Sequence, residues 1–213
     1  MILYLIRHGK SVANTLGLMN GTQEDVLSEE GIKQAHEMGA WLTSSGITAD
    51  RYVTSTWKRA QQTAQIIRPD VAWTIEARVG ETNAGDVSGW LCEKFISTHA
   101  AFYESTANRY PGGESHDELN ARVVDWLVET ARNAAEDEKV MLVGHAGSIT
   151  CALQYVAGMG MERFPAFLAS NASLSVAQIP PPGSKAFPRL LAFSLCPQDA
   201  LSRSYIFNGV KWP

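Results

Sequence analysis

The opening stretch Met1-Ile2-Leu3-Tyr4-Leu5-Ile6-Arg7-His8-Gly9-Lys10-Ser11 restricts the fold more than any other part of the chain. A near-continuous apolar run rich in branched side chains is the pattern of a strand covered on both faces, as in a parallel sheet. The run stops at Arg7-His8-Gly9, where a glycine permits a sharp turn and close approach of backbone to a ligand. In open α/β sheets ligands bind beyond the carboxyl ends of the strands, which puts Arg7 and His8 on a ligand-facing edge. Taken alone, the tripeptide is equally compatible with a strand end carrying two solvated basic residues.

The rest of the chain repeats the strand-then-helix rhythm. Ser28-Glu29-Glu30-Gly31 predicts a helix start, with Ser28 as cap and acids in the first turn, and Ile32, Ala35, Met38 and Leu42 supply its apolar face. The stretch from Ser11 to Asp25 is too irregular for a regular element. Arg51–Ser55 predicts a short strand, Trp57–Ile67 a helix ending before Pro69, and Val71–Ile75 a further strand. Leu91–Asn108 predicts a helix, and Leu119, Val123, Trp126 and Leu127 mark the face of a long one running to about Asp137. Lys139–Gly144 is a second buried strand and also ends at a histidine, in Gly144-His145-Ala146-Gly147, before a helix from Ser148 to Val156. Ser173–Ile179 and Arg189–Leu195, with prolines and Gly183 between them, predict a hairpin. The expected fold is α/β: one three-layer α/β/α domain over residues 1–213, with a mainly parallel sheet and a C-terminal hairpin.

Composition narrows the functions. A chain of 213 residues with 45% hydrophobic and 19% charged residues has the make-up of an ordinary globular protein with a real core. A formal net charge of −4 argues against nucleic acid or a membrane surface as partner. An anion must then be drawn by a local site. Cys92, Cys151 and Cys196 have no metal-ligand spacing and read as reduced thiols in a cytoplasmic protein. No run is long enough to span a bilayer, and Arg7 interrupts the apolar start too early for a secretory signal.

Two strands ending in histidine would bring His8 and His145 to the same sheet edge, facing one another across a switch point. The strand ending at Ser55 feeds a helix with Arg59 in its first turn or so, near the positive end, which suits an anion. A guanidinium there can bind phosphate through two hydrogen bonds. His36, His99 and His116 lie on predicted helices or a helix start and read as solvated or packing residues. Trp41, Trp57 and Trp126 read as helix packing.

Several motifs together resemble the histidine phosphatase superfamily, in its phosphoglycerate-mutase-like, Arg-His-Gly branch. They are Leu5-Ile6-Arg7-His8-Gly9-Lys10-Ser11 with Asn14, then Ser55 with Arg59-Ala60-Gln61-Gln62-Thr63-Ala64, then Glu81-Thr82-Asn83-Ala84-Gly85-Asp86 with Gly89. Pro111-Gly112-Gly113-Glu114-Ser115, Val143-Gly144-His145-Ala146-Gly147 and Asn171-Ala172-Ser173 complete the series in family order. The chain departs from the family at Gly21-Thr22-Gln23-Glu24-Asp25-Val26-Leu27, where Gly-x-x-Asp-x-Pro-Leu is usual, at Ser88 in place of a glutamate, and at Ala146 in place of a glycine.

The resemblance implies that His8 attacks phosphorus and becomes a phosphohistidine, with Arg7, Arg59, His145 and Asn14 holding the phosphoryl oxygens. It implies Gly21 and Thr22 as further phosphate-binding positions and Glu81 as general acid, then base, its pKa raised by a dianionic phosphate nearby. Glu76, Asp86, Glu93 and Glu104 are nearby carboxylates that could fill the acid role, and the loop spacing favours Glu81. No metal and no cofactor are expected, because the cage is made of arginine, histidine and amide groups. The partner is a small phosphoester, with self-association left open.

The activity expected is a phosphomonoesterase acting on a small phosphorylated metabolite, with a cofactor-dependent phosphoglycerate mutase as the alternative. Mutases of the family resemble one another in a long basic insertion before Pro-Gly-Gly, whereas Trp90–Pro111 is short, with only Lys94 and Arg109 basic besides His99. The mouth is expected along Leu16 to Gln23 and at Phe102, Tyr103 or Tyr110, which suits a small phosphoester with some apolar surface.

Overall fold

Alternate residues of the first strand decide the layering. In the computed structural model, which describes residues 1–197 apart from Asn20, Glu136 and Pro182, β1 runs Ile2–Arg7 at the middle of a six-stranded sheet. Successive strand side chains point to opposite faces. Leu3 and Leu5 therefore pack in one apolar cluster, and Tyr4 and Ile6 in another.

The sheet order is β3 (Thr74–Glu76), β2 (Arg51–Ser55), β4 (Lys139–Gly144), β1, β5 (Leu174–Gln178), β6 (Arg189–Leu195). The first four are parallel, and β5 lies antiparallel to both β1 and β6. The predicted C-terminal hairpin is this β5–β6 pair. Helices α2 (Glu29–Ser44) and α3 (Lys58–Ile67) cover the Tyr4/Ile6 face through Ala35, Met38, Leu42, Ala60, Ala64 and Ile67. Helices α5 (His116–Asn133) and α6 (Ala146–Val156) cover the Leu3/Leu5 face through Leu119, Val123, Leu127, Ile149 and Leu153. The outcome is the α/β/α sandwich that the strand and helix pattern predicts.

The long helix after β1, α2, lies in one layer and the helix after β4, α6, in the other. The two strands are neighbours, with Arg7 opposite Gly144. A switch point thus falls between the two strands that end in histidine.

Four local expectations need correction, the first being the strand expected at Val71–Ile75, which begins only at Thr74 and ends at Glu76. The loop after β1 contains a short helix, α1 (Val12–Leu16), closed by a reciprocal cap between Ser11 and Asn14. The stretch Leu91–Asn108 is not one helix: α4 covers Cys92–Thr98, and a tighter turn follows at Ala100–Glu104. The break at His99 lets its ring stack on Phe95 at 4.7 Å, while Phe95, Phe102 and Tyr110 close a satellite apolar cluster. Helix α5 stops at Asn133, where Ala134 turns extended, short of Asp137.

Candidate active site

The Arg7-His8-Gly9 turn is fixed from three sides by backbone. The His8 N–H donates to Gly144 O at 3.0 Å, and the His8 carbonyl accepts from Ala172 N and Asn171 Nδ2, each at 3.1 Å. Gly9 is required by close approach: a Cβ there would overlap the carbonyl of Gly31 at the start of α2. The imidazole of His8 is 2% exposed, and its Nδ1 lies 2.7 Å from Gly9 O, so Nδ1 carries the proton. The Nε2 lone pair is then left to accept from Arg59 Nε at 3.0 Å. Burial, then Arg59 and Arg7, push the His8 pKa well below the ordinary imidazole value. The ring is neutral, with its nucleophilic nitrogen turned toward a guanidinium.

His145 is fully buried at the end of β4, its ring centroid 5.1 Å from that of His8. Its Nε2 pairs with Ser55 Oγ at 2.6 Å, and the same oxygen accepts from Trp57 N. Where the Ser55 hydroxyl donates to Nε2, the proton of His145 sits on Nδ1. That Nδ1 is buried and has no partner among the described residues, and the same holds for Arg7 Nε. Arg7 is otherwise tied by Nη1 to Ala169 O at 2.6 Å. Burial, followed by Arg59, His8 and Arg7, also holds the His145 pKa well down. Two such buried nitrogens, at the adjacent ends of β1 and β4, suit the binding of an anion.

Arg59 is the second residue of α3 and only 2% exposed. Its Nη1 donates to Thr22 O and Asp25 Oδ2, both at 3.3 Å, and its guanidinium lies 4.5 Å from the Trp57 ring centroid. Asp25 also accepts from Ala13 N at 3.0 Å, so the start of α1 and the site arginine share one carboxylate. Sequence reasoning did not single out Asp25 or Ser55's contact with His145, and it read Trp57 as helix packing, whereas Trp57 caps α3 and meets His145 edge-on at 5.3 Å.

Gly21 and Thr22 stand behind Arg59: Gly21 has φ +65 and abuts the Asp25 carboxylate, and Thr22 contributes its carbonyl while its side chain is exposed. Asn14 uses its Oδ1 to accept from Ser11 N at 3.2 Å and from Asn171 Nδ2 at 3.3 Å, at the rim of the same turn.

Among the five candidate acids, Glu81 is the one that meets the turn following His145. Its Oε1 accepts from Thr82 N at 2.8 Å and its Oε2 from Gly147 N, in the first turn of α6, at 3.2 Å. Its charge reaches both guanidinium groups, opposing the fall that burial imposes on the pKa values of Arg7 and Arg59. Glu76 is bound to Arg78, and Asp86, Glu93 and Glu104 are exposed. Among the described residues no group of three or more His, Cys, Asp or Glu is placed to hold a metal ion, and no helix is long and apolar enough to cross a membrane.

A cavity of about 250 Å³ opens beside Glu81. Of the expected mouth residues, Met19, Tyr103 and Tyr110 line it. Phe102 does not: it is buried in the satellite cluster against Phe95 and Tyr110. Leu16 is exposed away from the cavity, and Asn20 lies outside the described residues. His116, read from sequence as solvated or packing, lines the cavity.

A family model described as the histidine phosphatase superfamily (branch 1) matches residues 3–186. A 2,3-bisphosphoglycerate-dependent phosphoglycerate mutase of Beijerinckia indica subsp. indica is 30% identical over 179 residues, 77% of this chain and 84% of that protein. The solved mycobacterial glucosyl-3-phosphoglycerate phosphatase is 25% identical with a TM-score of 0.77, over 91% of this chain and 98% of that one. The alpha-ribazole phosphatase of Shigella flexneri shares the fold at a TM-score of 0.78 and 24% identity, over 92% and 91% of the two chains.

Proposed function

The chain belongs to the histidine phosphatase superfamily, and within it we propose that it is a phosphomonoesterase that hydrolyses a small phosphorylated metabolite through a phosphohistidine on His8. The observation that carries this reading is the neutral His8 ring, its Nε2 lone pair facing Arg59, beside two buried unmatched nitrogens, Arg7 Nε and His145 Nδ1. A binding protein would need the cations but would have no use for a neutral nucleophile with a carboxylate placed beside it.

The chemistry runs in two displacements. An incoming phosphate takes over the hydrogen bond from Arg59, and Arg7 and His145 complete the set of donors to the phosphoryl oxygens. Freed Nε2 forms a bond to phosphorus as the ester oxygen departs, and Glu81 gives that oxygen its proton. The positive charge left on the phosphorylated ring is shared with Gly9 O through Nδ1–H. Glu81, now a carboxylate, takes a proton from water as the water attacks phosphorus, and His8 leaves as the neutral ring it began as. Asn14, Gly21 and Thr22 serve the rim of this cradle, the last two by keeping Asp25 and Arg59 in place.

The second reading, a phosphoglycerate mutase, is favoured by the 30% identical relative. Against it stand the short interval from Trp90 to Pro111 and the absence of any lysine or arginine from the described residues that line the cavity beside Glu81. A mutase has to retain its intermediate and keep water from the phosphohistidine. The deciding assay supplies 3-phosphoglycerate and 2-phosphoglycerate and follows both interconversion and phosphate release, with His8→Ala as the control. Phosphate release is expected to be the faster. Interconversion outpacing release from either compound would establish the mutase.

A further inference from the structure

We propose that the cavity beside Glu81 is the leaving-group subsite and that it selects phosphate monoesters of an uncharged alcohol bearing one flat, largely apolar ring, with His116 hydrogen-bonding that ring. This rests on the reading of Glu81 as the general acid. In an in-line displacement the nucleophile, phosphorus and leaving oxygen lie in a row, and the acid must be within hydrogen-bond reach of that oxygen. The remainder of the alcohol must then lie next to Glu81, and we assign it to the cavity that has Glu81 and Gly147 in its wall.

Charge sets the first limit on what enters. Glu81 is the one acidic side chain among the described residues that line the cavity, and no lysine or arginine is among them. Three cations on neighbouring segments are engaged elsewhere. Arg122 is spent on Glu114 and on the carbonyls of Arg78, Gly80 and Glu81. Arg109 binds Glu118 and Gly113 O, and Lys94 sits 3.8 Å over the Trp90 ring. A carboxylate or a second phosphate on the leaving group would be desolvated in a largely apolar cavity with no lysine or arginine in its described wall to meet it.

Shape and polarity set the second limit. At about 250 Å³ the cavity falls just below the roughly 300–1,000 Å³ typical of pockets that enclose drug-sized ligands, which suits a single ring. Tyr103, Tyr110 and Phe164 present ring surface to it, and the imidazole of His116 lies 4.6 Å from Phe164 and 5.8 Å from Tyr110 between centroids. Aromatic walls favour a flat ring that stacks or meets them edge-on. His116 is 9% exposed, yet its ring nitrogens make no hydrogen bond or ion pair to the described residues. Burial lowers its pKa, so at neutral pH it offers one donor and one acceptor. Its backbone is locked as the first residue of α5 by the reciprocal cap between Ser115 and Glu118. A rigidly held, neutral imidazole in the wall of an aromatic pocket can hydrogen-bond one polar atom on an otherwise apolar ring.

The experiment measures kcat/KM by phosphate release from benzyl phosphate, pyridin-3-ylmethyl phosphate and 3-phosphoglycerate, all esters of poor alcohol leaving groups, for wild type, His116→Phe and Leu168→Arg. Wild type is expected to favour both ring esters over 3-phosphoglycerate by about 30-fold or more. His116→Phe keeps an aromatic wall, so benzyl phosphate is expected to change by less than about threefold while the pyridyl ester drops about tenfold. Leu168→Arg puts a cation at the exposed edge of the cavity and is expected to narrow the gap with 3-phosphoglycerate about tenfold. Equal or faster release from 3-phosphoglycerate by wild type overturns the inference while leaving a phosphatase in place. Equal slowing of both ring esters by His116→Phe overturns the role given to His116. No release from any of the three overturns the phosphatase reading itself.

Discussion

Gly147→Ala isolates the acid from every other part of the site. Gly147 lies in the first turn of α6, where alanine is the better helix former by about 1 kcal/mol. Stability is therefore expected to hold, apart from a tight 3.0 Å approach of the new Cβ to Leu119 Cδ2. The damage falls on Glu81. A Cβ on Gly147 would overlap Glu81 Oε1, so the carboxylate must retreat by about 1 Å to reach an ordinary contact near 3.5 Å. The same movement takes Oε2 off the Gly147 N–H, from which it now accepts at 3.2 Å. A displaced catalytic group of this kind costs about 10²-fold, and complete loss of a general acid about 10²–10⁴-fold. The loss should follow the basicity of the leaving oxygen, because a nitrophenolate departs without a proton and an alkoxide does not. Steady-state kcat for benzyl phosphate is expected to fall by at least about 10²-fold and that for p-nitrophenyl phosphate by less than about tenfold. Equal losses on the two substrates, or wild-type rates on both, would refute the assignment of Glu81.

Two further outcomes follow from the burial of the site. Both His8 and His145 have folded pKa values well below 6.5, so from about pH 6.5 down toward pH 5 the unfolded chain binds protons that the folded chain refuses. Stability is then lost as pH falls, by about 1.4 kcal/mol per unit for each fully neutral ring, with His116 adding to the upper part of that window. Urea denaturation at a series of pH values in a phosphate-free buffer measures this, and a flat profile over the window would contradict the neutral assignment. Asp25→Asn removes the carboxylate paired with Arg59 and should lower kcat/KM by about 10²-fold by letting the guanidinium drift, whereas unchanged kinetics would mean that Thr22 O and Trp57 suffice to hold it.

The layer order and the meeting of His8 with His145 were legible because they depend on local signals: two apolar runs, each cut short beside a glycine. Arg59 was legible for a similar reason, as the second residue of a helix that follows a strand. Glu81 could be favoured only by spacing, since five carboxylates occupy the region and what separates them is the N–H of Gly147, 66 positions away. Asp25 was hidden in a polar loop beside Glu24, and its role depends on α1, a five-residue helix too short to leave a period. The stretch Leu91–Asn108 carried helical spacing, but tertiary packing of Phe95, Phe102 and Tyr110 broke the helix at His99 and drew Phe102 away from the mouth. His116 looked like any polar residue at a helix start, because the ring surface around it comes from Phe164, Tyr110 and Tyr103, remote turns that periodicity does not connect.

The central claim is that phosphate passes through His8. Wild-type protein is mixed with a phosphorus-32-labelled aryl phosphate, quenched in alkali within one turnover, digested and mapped. Acid-labile, alkali-stable label on the peptide carrying His8, attached at Nε2 and absent from His8→Ala, is the predicted result. Label on any other residue, or phosphate release by His8→Ala at the wild-type rate, would contradict it.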